Sequence, residues 1–385
     1  MKLNKDSLKL LFILSNYKIG DGVSSAVYFL FNKLGNKKDN YICAKWIQSS
    51  EPDINIVKFD KEKIGELFIH NCFDAILYFK GINSDILNSI VKVLHKKNLD
   101  IPIITTVCQK PSYRSLLLSP FEIKASSHFV FIDKASYSDP LVKFISGEVK
   151  SQIYLVSDMA KNLTKSIIYS KKNGEKVIFG RGTTIVKCPQ DMFDVFDRID
   201  YKDKEFHIVG VPKEGNWVAA EAKKRDNVVM HGFLDYKSWF DVCKTFDIFL
   251  YHLPKECHCS LDANLGLAMW MKIPVVYHGP EAPKERFDHL QNGFVADTTD
   301  EIVKYASCLA NNYELRKEIG EAGYKSIEAK IGNEQITISK YNSIIEKCIS
   351  DNKSEVIIPF IYYLVYLKKA WKRIIRDLLG LHREL

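Results

Sequence analysis

Two periodicities organise the chain. Leu8 to Leu14 is an apolar run broken only by Lys9, and it ends at Ser15-Asn16. After Gly20-Asp21-Gly22, apolar residues recur at helical spacing from Val23 to Leu34. This reads as a buried strand, a glycine loop and a helix. Further strand patterns lie at Tyr41 to Trp46, Ala75 to Phe79, Ile101 to Val107 and His128 to Ile132, with a helical pattern at Ser84 to Lys96. Strands alternating with helices predict a parallel, doubly wound sheet.

Between Tyr169 and Glu175 the sequence turns polar, with Lys171, Lys172, Asn173 and Gly174 in a row, and the alternation then restarts at Lys176-Val-Ile-Phe-Gly. A domain boundary is expected there. The second series runs through Glu205 to Gly210, Val228 to Gly232, Ile248 to Tyr251, Pro274 to His278 and Gly293 to Ala296. The fold class expected is α/β, with two facing Rossmann-like domains over residues 1–170 and 171–330 and a ligand cleft where the carboxyl ends of their strands meet. Residues 300–329 are helical in pattern, and a helix over 333–350 is expected to cross back to the first domain. The length of 385 residues suits two domains.

Beyond residue 350 the pattern changes. Val356 to Leu367 is apolar and aromatic apart from Pro359, and Lys368, Lys369, Lys372, Arg373 and Arg376 then interleave with Trp371, Ile374, Ile375, Leu378 and Leu379. The apolar run is shorter than the roughly 20 residues that cross a bilayer. An amphipathic tail over 351–385 that lies on an anionic membrane surface through 356–385 is the expectation, with Tyr362, Tyr363, Tyr366 and Trp371 as interfacial anchors. The alternative is a terminal helix packed on the body or on a second subunit.

Composition narrows the classes. A hydrophobic share of 46% with 26% charged residues is that of a packed globular protein, not a disordered one. Lys+Arg of 55 against Asp+Glu of 47 gives +8, which suits phosphates or lipid headgroups. The basic residues are spread along the chain except in the tail, without an RNA motif or zinc-finger spacing, so no nucleic-acid partner is expected. The apolar start carries no small-residue cleavage site and reads as a strand. Most of the nine cysteines stand singly in apolar stretches, and Cys257 and Cys259 are spaced wrongly for a CxxC site. A reducing cytoplasm fits them. His258 between those two does not make a metal site, because three consecutive ligands do not easily surround one ion.

The segment Val177-Ile-Phe-Gly180-Arg181-Gly182-Thr-Thr-Ile-Val-Lys187 places Arg181 and Lys187 on a loop after a buried strand. Cations fixed there would stabilise a diphosphate leaving group as its charge develops. Two solvated surface charges are the plain alternative. The context resembles family 4 glycosyltransferases, retaining enzymes of GT-B fold. Gly180, Arg181 and Lys187 match that family's second-domain opening, followed by Phe206-His-Ile-Val-Gly210, Val228-Val-Met-His-Gly232-Phe and Phe246-Asp-Ile-Phe-Leu250. Leu267-Ala268-Met269-Trp-Met-Lys-Ile-Pro274-Val-Val276 and Gln291-Asn-Gly293-Phe continue it, over about 176 to 350.

The resemblance implies a nucleotide-diphosphate sugar as substrate, no cofactor and no metal. It implies Arg181, Lys187 and Glu285 as catalytic residues, and donor contacts at Gly20, Asp21, Gly22, Gly180, Gly210 and Gly232. A departure concerns the family's two glutamates, whose positions here hold Cys259 and Leu267. Ser260, Asp262 and Asn264 are the nearest polar substitutes, at the start of a helix whose dipole favours phosphate. Asp262 alternatively serves only as an N-cap. The acceptor-side histidine is missing near Cys108 and Gln109, leaving Lys110, Tyr113 and Arg114 as candidates. The function implied is retaining transfer of a sugar to a lipid-linked or cell-envelope polysaccharide acceptor, by a bacterial enzyme peripheral on the inner face of the cell membrane. The rivals are a non-catalytic GT-B homologue that binds a partner and a GT-B sugar-nucleotide epimerase.

Overall fold

The computed structural model describes residues 7–18, 22–49, 53–80, 85–111, 117–155, 176–257, 259, 262–351 and 356–378. The chain forms two compact units, one of Met1–Ser157 with Glu334–Leu385 and one of Asp158–Asn333. The polar stretch expected to mark the boundary, 169–175, lies outside the described residues.

In the first unit the elements alternate as β1 (Leu10–Tyr17), α1 (Gly22–Lys33), β2 (Tyr41–Ile47), β3 (Asn55–Lys58), α2 (Ile64–His70), β4 (Ala75–Lys80), α3 (Asp85–Lys96), β5 (Ile103–Val107), α4 (Pro120–Ala125), β6 (His128–Phe131), α5 (Lys134–Tyr137) and β7 (Lys150–Gln152). The sheet order is β3-β2-β1-β4-β5-β6-β7, and each pairing is parallel. Both faces are covered, so β1 is apolar without alternation from Leu10 to Leu14. Leu10, Phe12 and Leu14 join Phe29 and Leu30 of α1 on one face, while Leu11 and Ile13 join Leu67 and Ile90 on the other. The two strands absent from the sequence reading, β3 and β7, are short and only half-buried, which is why they carry no apolar signal.

A buried ion pair ties β4 to α4. Ser119 and Glu122 form a reciprocal capping box, with the Ser119 N–H donating to Glu122 Oε2 at 2.7 Å. The other carboxylate oxygen accepts from Lys80 Nζ at 2.7 Å and from the Tyr78 hydroxyl at 3.3 Å. Lys80 and Glu122 side chains are 5% and 0% exposed.

The second unit repeats the plan with β8 (Val177–Gly182), α6 (Met192–Asp197), β9 (Lys204–Val209), α7 (Trp217–Ala222), β10 (Val228–Gly232), α8 (Tyr236–Cys243), β11 (Ile248–His252), α9 (Ala263–Trp270), β12 (Val275–His278), α10 (Glu281–Lys284), β13 (Phe294–Val295), α11 (Thr299–Asn311) and α12 (Tyr313–Ala329). Its parallel sheet has the order β10-β9-β8-β11-β12-β13, so the winding reverses between β8 and β11. The stretch of helical pattern over 300–329 forms two helices, divided at Asn312, which caps the second by accepting from the Leu315 N–H.

Two more helices, α13 (Glu334–Ser350) and α14 (Phe360–Leu378), belong to the first unit. Tyr341 of α13 is fully buried and shares a 3.0 Å hydrogen bond with Thr106, and Ile344 and Ile345 complete the core beside β1. The α14 helix is held by Tyr362, whose hydroxyl donates to the Leu118 carbonyl at 2.6 Å and whose ring meets Phe144 edge-on. No helix among the described residues is long and apolar enough to cross a membrane.

Candidate active site in the second unit

In a doubly wound sheet, ligands settle outside the carboxyl ends of the strands where the winding reverses. Here that point lies at the ends of β8 and β11, and the segments leaving those strands meet there. After β8 a short 3-10 turn, Ile185–Lys187, presents Lys187. After β11 the chain returns at Asp262, the N-cap of α9.

The meeting is an ion pair: Lys187 Nζ lies 3.0 Å from Asp262 Oδ2. The same carboxylate oxygen accepts from the Tyr251 hydroxyl at 2.7 Å and faces Cys259 Sγ at 3.6 Å, while Oδ1 accepts from the Asn264 N–H at 2.9 Å. Burial alone would raise the Asp262 pKa, but Lys187 and the Tyr251 hydroxyl outweigh it and hold the carboxyl below its usual range. Burial disfavours the Lys187 ammonium too, and Asp262 more than compensates, pushing its pKa up. Both groups are charged at neutral pH. The Asn264 side chain donates to the Gly182 carbonyl at 2.8 Å, fixing the start of α9 to the end of β8.

Arg181 differs from its expected place. It is the fifth residue of β8, paired in register with Ile208, not a loop residue. Its side chain is fully buried, with Nη2 donating to the Lys187 carbonyl at 3.1 Å and Nη1 2.8 Å from Met192 Sδ. A guanidinium so placed holds the backbone that carries Lys187. Glu285 follows α10 and is half-buried, and its neighbour Arg286 donates to the Asp262 carbonyl at 3.3 Å.

The glycines serve packing here. A Cβ on Gly180 would lie 1.9 Å from the Phe246 ring. Gly210 has φ of +84° and sits where a Cβ would come 2.4 Å from the Thr183 carbonyl, so it keeps β9 tight against the loop after β8. Gly232 ends β10 beside the Lys213 side chain. Gly22 opens α1 of the first unit and is exposed, and Lys110 is an exposed residue after β5. Gly20, Asp21, Tyr113, Arg114, His258 and Ser260 lie outside the described residues.

Sequence reasoning did not single out His252, and the resemblance placed His278 only as the start of a loop, through Lys284, beside the donor. His252 and His278 pair across β11 and β12 with rings 4.9 Å apart, and both are buried. Burial, then the Arg181 charge, pushes the His252 pKa down to about 3, so its ring is neutral at pH 7. Burial also lowers that of His278. His252 Nδ1, His278 Nδ1, Arg181 Nε and Thr183 Oγ1 are buried without a hydrogen-bond partner among the described residues. Only their positions at strand ends signal them in the sequence, and a histidine there looks like any strand residue. No group of three or more His, Cys, Asp or Glu side chains among the described residues is placed to hold a metal.

Two parallel sheets of seven and six strands, each flanked by helices, are the architecture of GT-B glycosyltransferases. No family model matches the chain, and no curated protein matches it. Among solved structures it is similar to Anabaena Alr3699/HepE in complex with UDP, with a TM-score of 0.67 and 10% identity over 88% of this chain and 100% of that one. A glycosyltransferase from Rickettsia africae ESF-5 gives a TM-score of 0.66 and 11% identity over 90% and 100% of the two chains. WaaG, a glycosyltransferase involved in lipopolysaccharide biosynthesis, gives 0.60 and 10% over 89% and 100%.

Proposed function

We propose that this protein is a retaining glycosyltransferase that moves a sugar from a nucleotide-diphosphate donor to a lipid-linked or cell-envelope glycan. The observation that carries the reading is Lys187 beside the start of α9, at the carboxyl edge of a GT-B-type second unit where the winding reverses. An ammonium and the positive end of a helix there suit a diphosphate. One solved protein of similar fold, Anabaena Alr3699/HepE, is in complex with UDP and with UDP-glucose, which makes UDP the first nucleotide to test.

In the proposed reaction, the bond from the anomeric carbon to the diphosphate breaks and the acceptor oxygen bonds that carbon on the same face. Its proton passes to the departing phosphate. Lys187 and the α9 dipole neutralise the charge that develops on the leaving group. Arg181 positions Lys187 through its carbonyl, and Glu285 stands beside the donor. The buried, unpartnered atoms of Thr183, His252 and His278 offer hydrogen bonds to a ligand at the strand ends. The amphipathic, basic C-terminal helix supports a membrane-peripheral setting, and with it a lipid-linked or cell-envelope acceptor of a bacterial enzyme.

A second reading, a non-catalytic homologue that binds a partner, draws on Cys259 and Leu267, which are buried where the family has glutamates. Thermal unfolding with UDP, GDP, CDP, CMP and ADP separates the two. One diphosphate is expected to raise the melting temperature by mass action, about 2.7 kcal/mol of stabilisation at a hundredfold excess over Kd. Lys187→Ala abolishes the shift. No shift with any nucleotide leaves the partner-binding reading.

A further inference from the structure

The α14 helix is anchored by one side and bare on the other. Tyr362 is 3% exposed and Tyr366 packs beside it on the core of the first unit. Phe360, Leu364, Leu367, Trp371 and Ile375 recur every third or fourth residue and so share one face. They are 76%, 47%, 52%, 63% and 46% exposed. A lone exposed leucine needs no explanation, but an aligned row of five large apolar residues does.

Lys368 and Lys372 are exposed on the same helix. The sequence adds Lys369, Arg373 and Arg376, with Asp377 as the one acidic residue between Phe360 and Leu378. The apolar row is thus accompanied by positive charge. A second copy of this chain would bring its own lysines to the same seam, where like charges oppose pairing. An anionic bilayer answers both features, since its acyl boundary takes the apolar row and its headgroups take the cations.

We propose that α14 lies flat in the interface of an anionic membrane, with Phe360, Leu364, Leu367, Trp371 and Ile375 inserted and Lys368 and Lys372 on the headgroups. This gives the membrane partner of the preceding section its residues, and it stands independently of the nucleotide chemistry.

The test is flotation of the full chain with vesicles of phosphatidylcholine alone and of phosphatidylcholine mixed with phosphatidylglycerol. Wild type is expected to float with the anionic vesicles only. Leu367→Glu/Trp371→Glu should weaken binding at least tenfold, and Lys368→Gln/Lys372→Gln about fivefold per charge at low salt. Both positions of each variant are exposed, and an unchanged melting temperature confirms folding. Absence of flotation, or equal flotation of the apolar double variant, overturns the proposal. A wild-type dimer that this variant dissociates, without flotation, overturns it in favour of a second copy. Flotation without any nucleotide-induced thermal shift leaves the membrane assignment standing and removes the transferase reading.

Discussion

Asp262 accepts from a lysine, a tyrosine hydroxyl and a helix N–H at once. These bonds place it to position Lys187 and to cap α9. Removing it strands the partly buried ammonium, 27% exposed, and the buried Tyr251 hydroxyl. Asp262→Ala is therefore expected to cost about 2–3 kcal/mol, a lost cap together with a broken pair discounted for exposure. Urea unfolding reads this as a lower midpoint at unchanged slope. Because the folded-state pKa is depressed, the wild-type advantage is complete above the unfolded carboxyl value of about 3.9. It fades as pH falls through the folded value, and a penalty that persists undiminished there would contradict the ion-pair origin. The cap was legible in the sequence as one of two uses for an Asp before Ala-Asn at a helix start. Arg181 was misread because a charge beside glycines suggests a loop, whereas the strand buries it against Met192. Arg286 and His252 were missed because the groups they meet, the Asp262 carbonyl and the His278 ring, lie far away in sequence.

At the level of elements, the central strands announced themselves by unbroken apolar runs, since helices on both faces leave no polar side. Edge strands β3 and β7 did not, being half-buried and partly polar. The Lys80–Glu122 pair was equally silent, because Lys80 and Glu122 stand 42 positions apart and only folding joins them. That pair fixes α4 to β4, and its worth follows from depth. Glu122→Ala leaves a 5% exposed ammonium without its carboxylate and is expected to destabilise the first unit by about 3–5 kcal/mol. Calorimetry measures it, and a loss under about 1 kcal/mol would mean that Lys80 finds water instead.

Each of the two units has its own core, so unfolding of the whole molecule is not expected to be two-state. Tyr341→Ala removes a fully buried ring from the first unit and should lower that unit's transition by about 3–5 kcal/mol. The transition of the second unit should keep its midpoint in the same scan. A common shift of both would show instead that the units melt together. The chain order adds a consequence for synthesis on the ribosome. The second unit is contiguous, and its residues have all emerged before α13 does. The first unit, although begun earlier, waits with its core incomplete until Tyr341, Ile344 and Ile345 arrive to join it. Of the two units, the one begun earlier is thus completed later, and during that interval it is the one more in need of a chaperone.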